Sequence, residues 1–427
     1  MKVLRGLLFL LLVVFATALA LVLVHRFNPE PLDESPAPAG TTGAQLVERG
    51  AYLARAGNCI ACHTARGGAA YAGGRGIETP FGTLYAGNLT PDRDTGLGDW
   101  SAAEFWRAMH HGRSKDGRLL YPAFPYPNYT NVTREDSDAI HAFLRSLPAV
   151  RQATPAHQLR FPYDSQLALA AWRVLFFRPA SFESDPARTA EWNRGAYLVR
   201  GLGHCNACHA ARNVFGATSE SLELSGGLIP MQNWYAPSLN AADEAGVAGW
   251  DSADVVALMK TGVSRHGSAM GPMAEVVYRS TQHLSDADLR AVAVFLKELP
   301  QARPEQRESV AADPGVLTRG GKIYETRCAE CHGASGQGAG KAYPALAGNR
   351  AVTMRTPANL IQVLLNGGFA PSTAANPRPW GMPPFVHALD EAEIASVLTY
   401  IRQSWGHQAA PVSQLDVLQF REGRGQP

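Results

Sequence analysis

Three copies of one short pattern constrain this chain more than any other feature. Cys-x-x-Cys-His occurs at Cys59, Cys62 and His63, at Cys205, Cys208 and His209, and at Cys328, Cys331 and His332. These motifs use all six cysteines of the 427-residue chain. Whatever the fold is, it has to build the same local environment three times.

Each motif recurs at the same place in a longer repeat, so the repeat is the unit to read. Upstream lies a short helical pattern: RGAYLARAGNC from Arg49, RGAYLVRGLGHC from Arg194 and RGGKIYETRC from Arg319. Downstream lies an amphipathic helix, predicted to start after the N-caps Thr133, Ser285 and Asp390. Asp136, Asp288 and Glu393 stand three residues on, as in a capping box. Phe143, Phe295 and Tyr400 fall at matching positions inside these helices. A middle helix repeats as well, WSAAEFWRAMHHG from Trp100 mirroring WDSADVVALMKTG from Trp250. The expected fold is mainly α, with three tandem helical domains of about 100 residues each. Residues 43–150, 191–303 and 310–406 form these domains. An apolar linker covers 151–190 and a polar tail 407–427. The linker stretch QLRFPYDSQLALAAWRVLFFRP is too apolar to be a solvated spacer; it is expected to pack against its neighbouring domains, the alternative being a surface for a partner protein or the membrane.

A lone Cys-x-x-Cys can serve zinc, redox exchange or haem. Zinc needs four ligands, and isolated pairs each followed by His supply them poorly. A redox dithiol belongs in a βαβ pattern that is missing here, and disulfides would leave the histidines unexplained. Haem uses every element. Two thiols on one helical turn form thioethers with the two vinyl groups, and the adjacent His ligates iron from below. The expected cofactors are therefore three covalently bound haem c groups. Cys59, Cys62, Cys205, Cys208, Cys328 and Cys331 attach them, and His63, His209 and His332 are the proximal ligands.

An electron-transfer haem usually has a sixth ligand, and Met raises its potential. In the third domain RPWGMPPF offers Met382, while Met354 falls too early. In the second, SAMGPMAE offers Met270 and Met273. Met273 is preferred because a Gly-Pro stiffens the chain before it. The first domain has GRLLYPAFPYPNY, with Phe124 where a ligand is expected, and Phe cannot bind iron. Met109 aligns with Met259 and reads as core; His110 and His111 are alternatives. The sixth position of this haem is left unassigned, and the haem is expected to differ from the others in potential or spin state.

Gly6–Val24 is an apolar run of 19 residues, roughly 29 Å as a helix against a hydrocarbon core of about 30 Å. Lys2 and Arg5 precede it, as the positive-inside rule requires. Ala16-Thr17-Ala18 and Ala18-Leu19-Ala20 resemble signal cleavage sites, but the apolar run continues beyond them. We expect an uncleaved N-terminal transmembrane helix followed by a Pro-rich tether, together residues 1–42. A net charge of +2 gives no basic field for nucleic acid.

With RGAYL, LYPAFPYPNY, GPMAEVV, PALAGN and GMPPF beside the three motifs, the chain resembles the membrane-associated triheme cytochrome c subunits of bacterial periplasmic dehydrogenases. The likeness runs over about residues 43–405. It implies three tandem class I cytochrome c domains on the periplasmic face of the inner membrane. It also implies a partner catalytic subunit of flavin, PQQ or molybdenum type, with ubiquinone or another respiratory carrier as acceptor. No catalytic substrate site is expected in the chain itself, which has no Gly-x-Gly-x-x-Gly after a strand and no nucleophile elbow. The likeness further implies that the Pro344 carbonyl orients a proximal imidazole. Phe124 departs from the alcohol dehydrogenase members, which carry Met in that loop. The N-terminal anchor departs from members held by a C-terminal segment. The rival readings are peroxidase-like or quinone chemistry at an open first haem, and a haem-based gas sensor.

Overall fold

The structure, a computed structural model, describes residues 2–34, 43–218, 220–302, 310–340 and 342–422. It divides into two compact units. One runs to Ser184 and includes Arg200–His204 and Asn213–Ala217; the other holds Asp185–Val199, Cys205–Arg212 and the chain from Thr218 onward. Among the described residues the architecture is mostly helical, with short two- and three-stranded antiparallel pieces.

The repeat seen in the sequence becomes a repeated helix pair. An opening helix packs on a closing helix three times: Gly43–Ala56 on Arg134–Ser146, Ala190–Ala196 on Asp286–Lys297, and Pro314–Arg327 on Glu391–Gln403. Glycine sets how closely they cross. A Cβ on Gly50 would lie 1.8 Å from the Ala139 carbonyl oxygen; on Gly195, 2.0 Å from that of Ala291; on Gly320, 2.1 Å from that of Ser396. The same imagined Cβ atoms would meet the Cβ of Phe143, Phe295 and Tyr400 at 2.7–2.8 Å. The recurring aromatics of the closing helices are thus the residues that wall the crossing.

The predicted caps form. Thr133, Ser285 and Asp390 accept from the backbone N–H of Asp136, Asp288 and Glu393. In the third helix Glu393 closes the box by accepting from Asp390 N–H. In the first two the acid also reaches across the pair to the arginine before the crossing glycine: Arg49 to Asp136, and Arg194 to both oxygens of Asp288 at 2.8 Å.

The second opening helix departs from a plain α-helix, widening to a π-helix over Tyr197–Leu202. The sequence explains it: Cys205 stands eleven positions after Arg194, whereas Cys59 stands ten after Arg49. The π turn absorbs the extra residue while both ends keep their places. Middle helices follow at Ala102–His111, Ser252–Thr261 and Ala358–Asn366. Each ends on a glycine of positive φ, Gly112 (59°), Gly262 (76°) and Gly367 (63°), which turns the chain into the next loop.

In the first unit part of the apolar linker packs, while Phe161, Leu167 and Leu175 stay exposed. Its helix Gln166–Phe176 buries Leu169 and Ala170 against Leu119, with Val22 alongside. Lys2–Phe27 is the one helix among the described residues long and apolar enough to cross a membrane. Its outer end is fastened to the first unit by two fully buried arginines. Arg113 donates to the His25 carbonyl at 2.6 Å and to Glu30 Oε2 at 2.7 Å; Arg173 donates to His25 Nε2 at 2.9 Å. A cation at the carbonyl end of a helix is also favoured by the helix dipole. Within the segment read as a tether, Asp33 is bonded to Arg134, and residues 35–42 lie outside the described residues.

The tail is polar, as read, yet much of it is docked. Helix Gln414–Glu422 buries Val417 completely in the third repeat's core, and Arg421 pairs with Glu391 at 2.8 Å.

Burial holds two first-repeat histidines, His110 and His141, down to about 4, helped by His111 beside the first and Arg145 near the second. Their ordinary value is 6.5. Above 6.5 both are neutral folded or unfolded, so stability is complete. As pH falls from 6.5 towards 4 only the unfolded chain gains these protons, and stability drops. Denaturant unfolding at pH 7 and pH 5 is expected to show a weaker first repeat at the lower pH.

Candidate haem sites

Each Cys-x-x-Cys-His is one helical turn. The His63 N–H bonds the Cys59 carbonyl at 3.0 Å, and His209 and His332 bond those of Cys205 and Cys328 at 2.9 Å. One turn puts both thiols on one side and brings the histidine round beneath them. The lead-in varies. Asn58 (φ 51°) and His204 (φ 39°) break the chain before the first two motifs, whereas Pro314–Arg327 runs directly into Cys328.

The three imidazoles are held alike. His63 Nδ1 donates to the Gly87 carbonyl at 2.7 Å, His209 Nδ1 to that of Pro237 at 2.7 Å, and His332 Nδ1 to that of Pro344 at 3.0 Å. Donation from Nδ1 fixes the tautomer, so Nε2 carries a lone pair for a metal. Burial lowers the pKa of all three, against the opposing pull of those carbonyls, and keeps the rings neutral. Sequence reasoning found Pro344 but missed Gly87 and Pro237. A signal was present: Leu89, Leu239 and Leu346 each stand two residues after the acceptor.

None of the six cysteines is paired in a disulfide. Burial pushes Cys59 and Cys205 up to about 12 and Cys328 to about 11. Among the described residues no three His, Cys, Asp or Glu side chains gather to hold a metal ion. Thiols beside a neutral imidazole with Nε2 available are the donor set that covalent haem c requires, and the residues fit that group.

On the loop side, Met382 lies on strand Gly381–Met382, paired with Gly368–Phe369. It packs on the third repeat's core and lines a cleft with Asn366, Phe369, Pro383 and Pro384. The two methionines of the second repeat have different surroundings. A Cβ on Gly368 would sit 3.2 Å from Met270 Cε, so Met270 is engaged with the third repeat's hairpin. Met273 stands in the first turn of helix Gly271–Arg279. In the first repeat Phe124 lies 5.4 Å from the ring of Tyr129, whose hydroxyl donates to the Gly57 carbonyl just before the first motif. Met109 is buried, as expected of a core residue.

The cytochrome c family model matches residues 47–148 and 317–405, the first and third repeats. The chain is similar over nearly its whole length to dehydrogenase subunits. It is 38% identical to the cytochrome c subunit of a quinone alcohol dehydrogenase from Gluconacetobacter polyoxogenes, over 90% of this chain and 87% of that one. It is 37% identical to the gluconate 2-dehydrogenase cytochrome c subunit of Pantoea cypripedii, over 88% of this chain and 90% of that one. A nicotinate dehydrogenase subunit from Pseudomonas putida is 41% identical over 90% of this chain but only 32% of its own length. The chain belongs to the cytochrome c subunits of dehydrogenases, electron-transfer proteins whose domains carry covalently bound haem c.

Proposed function

We propose that the chain is a triheme c-type cytochrome of three tandem class I domains, the redox relay of a periplasmic dehydrogenase. It accepts electrons from a catalytic subunit of flavin, PQQ or molybdenum type. It passes them to ubiquinone or another respiratory carrier, with helix Lys2–Phe27 as the inner-membrane anchor. The observation that carries this reading is the threefold Nδ1–carbonyl geometry of His63, His209 and His332.

The haem iron supplies the one-electron chemistry when bound. The protein's part is attachment, ligation and tuning. Cys59 and Cys62, Cys205 and Cys208, and Cys328 and Cys331 form the thioethers. Hydrogen-bonded Nδ1–H makes each Nε2 a stronger donor and fixes its plane. Met273 and Met382 complete the second and third sites, where a thioether ligand favours the reduced state.

Relatives named for alcohol, gluconate and nicotinate oxidation make the donor an experimental question of subunit identity. Mass measurement and a pyridine haemochrome assay of the purified protein are expected to count three haems per chain. Affinity purification from mild detergent is expected to bring down a dehydrogenase whose substrate reduces those haems. Fewer than three haems, or haems that no co-purified enzyme reduces, would refute the proposal.

A further inference from the structure

Each middle helix ends at a left-handed glycine, and each following loop returns to the N-cap of a closing helix. In the third repeat the loop between Gly367 and Asp390 carries Met382, and in the second the loop between Gly262 and Ser285 carries Met270 and Met273. In the first repeat the loop between Gly112 and Thr133 carries no methionine, histidine or cysteine. At the place of Met382 it carries Phe124, seated among Tyr126 and Tyr129.

The remaining candidates lie on the middle helix, and the second repeat shows what their positions do. Matching Trp100–Gly112 with Trp250–Gly262 pairs Met109 with Met259, His110 with Lys260 and His111 with Thr261. Lys260 Nζ donates to the Leu284 carbonyl at 2.6 Å, fastening the turn ahead of the closing helix. The His110 ring makes the corresponding bond to the Thr130 backbone and stacks on Trp106 at 4.4 Å. Thr261 bonds the Ala257 and Val263 carbonyls of its own helix end, and His111 sits at the matching turn, edge-on to His110. Met109 is 4% exposed, and its counterpart Met259 occurs in a repeat that has loop methionines to spare. Met109 and His110 thus have framework contacts at these positions.

We infer that the haem attached at Cys59 and Cys62 has His63 as its only protein ligand, leaving its other axial position open to a small exogenous ligand. This rests on the haem assignment made above. The loop residue there is aromatic and apolar, so a small neutral diatomic is favoured over an anion, whose burial without a partner is costly. Such a haem also lacks the thioether that stabilises the reduced state, so its potential lies below those of the other two.

The test uses carbon monoxide and electron paramagnetic resonance on the full-length protein, with the haem count measured separately. One haem in three is expected to be high-spin when oxidised and to bind carbon monoxide when reduced. Phe124→Met is expected to make that haem low-spin and abolish carbon monoxide uptake, while Phe124→Leu retains it. His110 Nδ1 and His111 Nδ1 are both buried with no hydrogen-bond partner among the described residues, which makes these two histidines the rival ligands. Three low-spin haems that bind no carbon monoxide would overturn the inference. So would a low-spin first haem that turns high-spin in His110→Ala or His111→Ala, or equal loss of binding in the Leu and Met variants. A count of three haems with any of those results leaves the relay intact and removes only the open site.

Discussion

Alanine at Gly320 is expected to unfold the third repeat's helix pair or cost it about 3 kcal/mol, the upper end for overpacking a core. The new methyl would have to occupy a point 2.1 Å from a backbone oxygen, which no rotamer change can relieve. Alanine is the better helix former by about 1 kcal/mol, so the substitution should look favourable to any argument from propensity alone. Gly321→Ala is the internal control. Its Cβ would meet only the ring edge of Tyr400, at 3.2 Å, and a side chain can give way by a few tenths of an ångström. Denaturant unfolding followed by helical circular dichroism should separate the two variants clearly. Equal, small effects would show that the helices do not cross this closely. The same reasoning extends to Gly50 and Gly195.

Glu30→Ala should be nearly as damaging to the first unit. Arg113 is 1% and Arg173 0% exposed, and Glu30 is the carboxylate that both approach, at 2.7 and 3.8 Å. Removing one partner of a buried ion pair leaves uncompensated charge and typically costs about 3–5 kcal/mol. Burial works against ionising Glu30. Bonds to its own backbone N–H and to Arg113 outweigh that, and its pKa lies below the ordinary value. It is therefore charged throughout the neutral range. Limited proteolysis of the detergent-solubilised protein should show faster cleavage around residues 25–34 and 113–120 in the variant. Unchanged protease resistance and unchanged unfolding of the first unit would mean the C-terminal end of helix Lys2–Phe27 is not part of its fold.

The Glu30 cluster illustrates what the sequence could not disclose. Nothing near Arg113 or Arg173 marks them as partners of a residue more than eighty positions away. Long-range polar pairs have no periodicity to read. Local chemistry was legible: Thr133, Ser285 and Asp390 cap the helices they were expected to cap, because a cap is decided within four residues. The histidine of each motif was legible for the same reason. Of the carbonyl partners only Pro344 was legible, through the family resemblance; Gly87 and Pro237 were not, since a backbone oxygen is the same at every residue and only the leucine two positions on betrays the loop. The crossing glycines were visible as RG before each motif, yet their purpose needed a second helix to define it. The π turn at Tyr197–Leu202 was countable as one extra residue, but counting does not say whether a loop or a helix absorbs it.

Main-chain acceptors behind His63, His209 and His332 have an outcome for how such a protein can be altered. A carbonyl survives replacement of its residue, so no single codon change at Gly87, Pro237 or Pro344 deletes the bond that sets imidazole basicity. That half of each centre is insulated from mutational drift. On the relay reading proposed above, differences in driving force between the repeats would be written on the opposite face, one exchangeable side chain at a time.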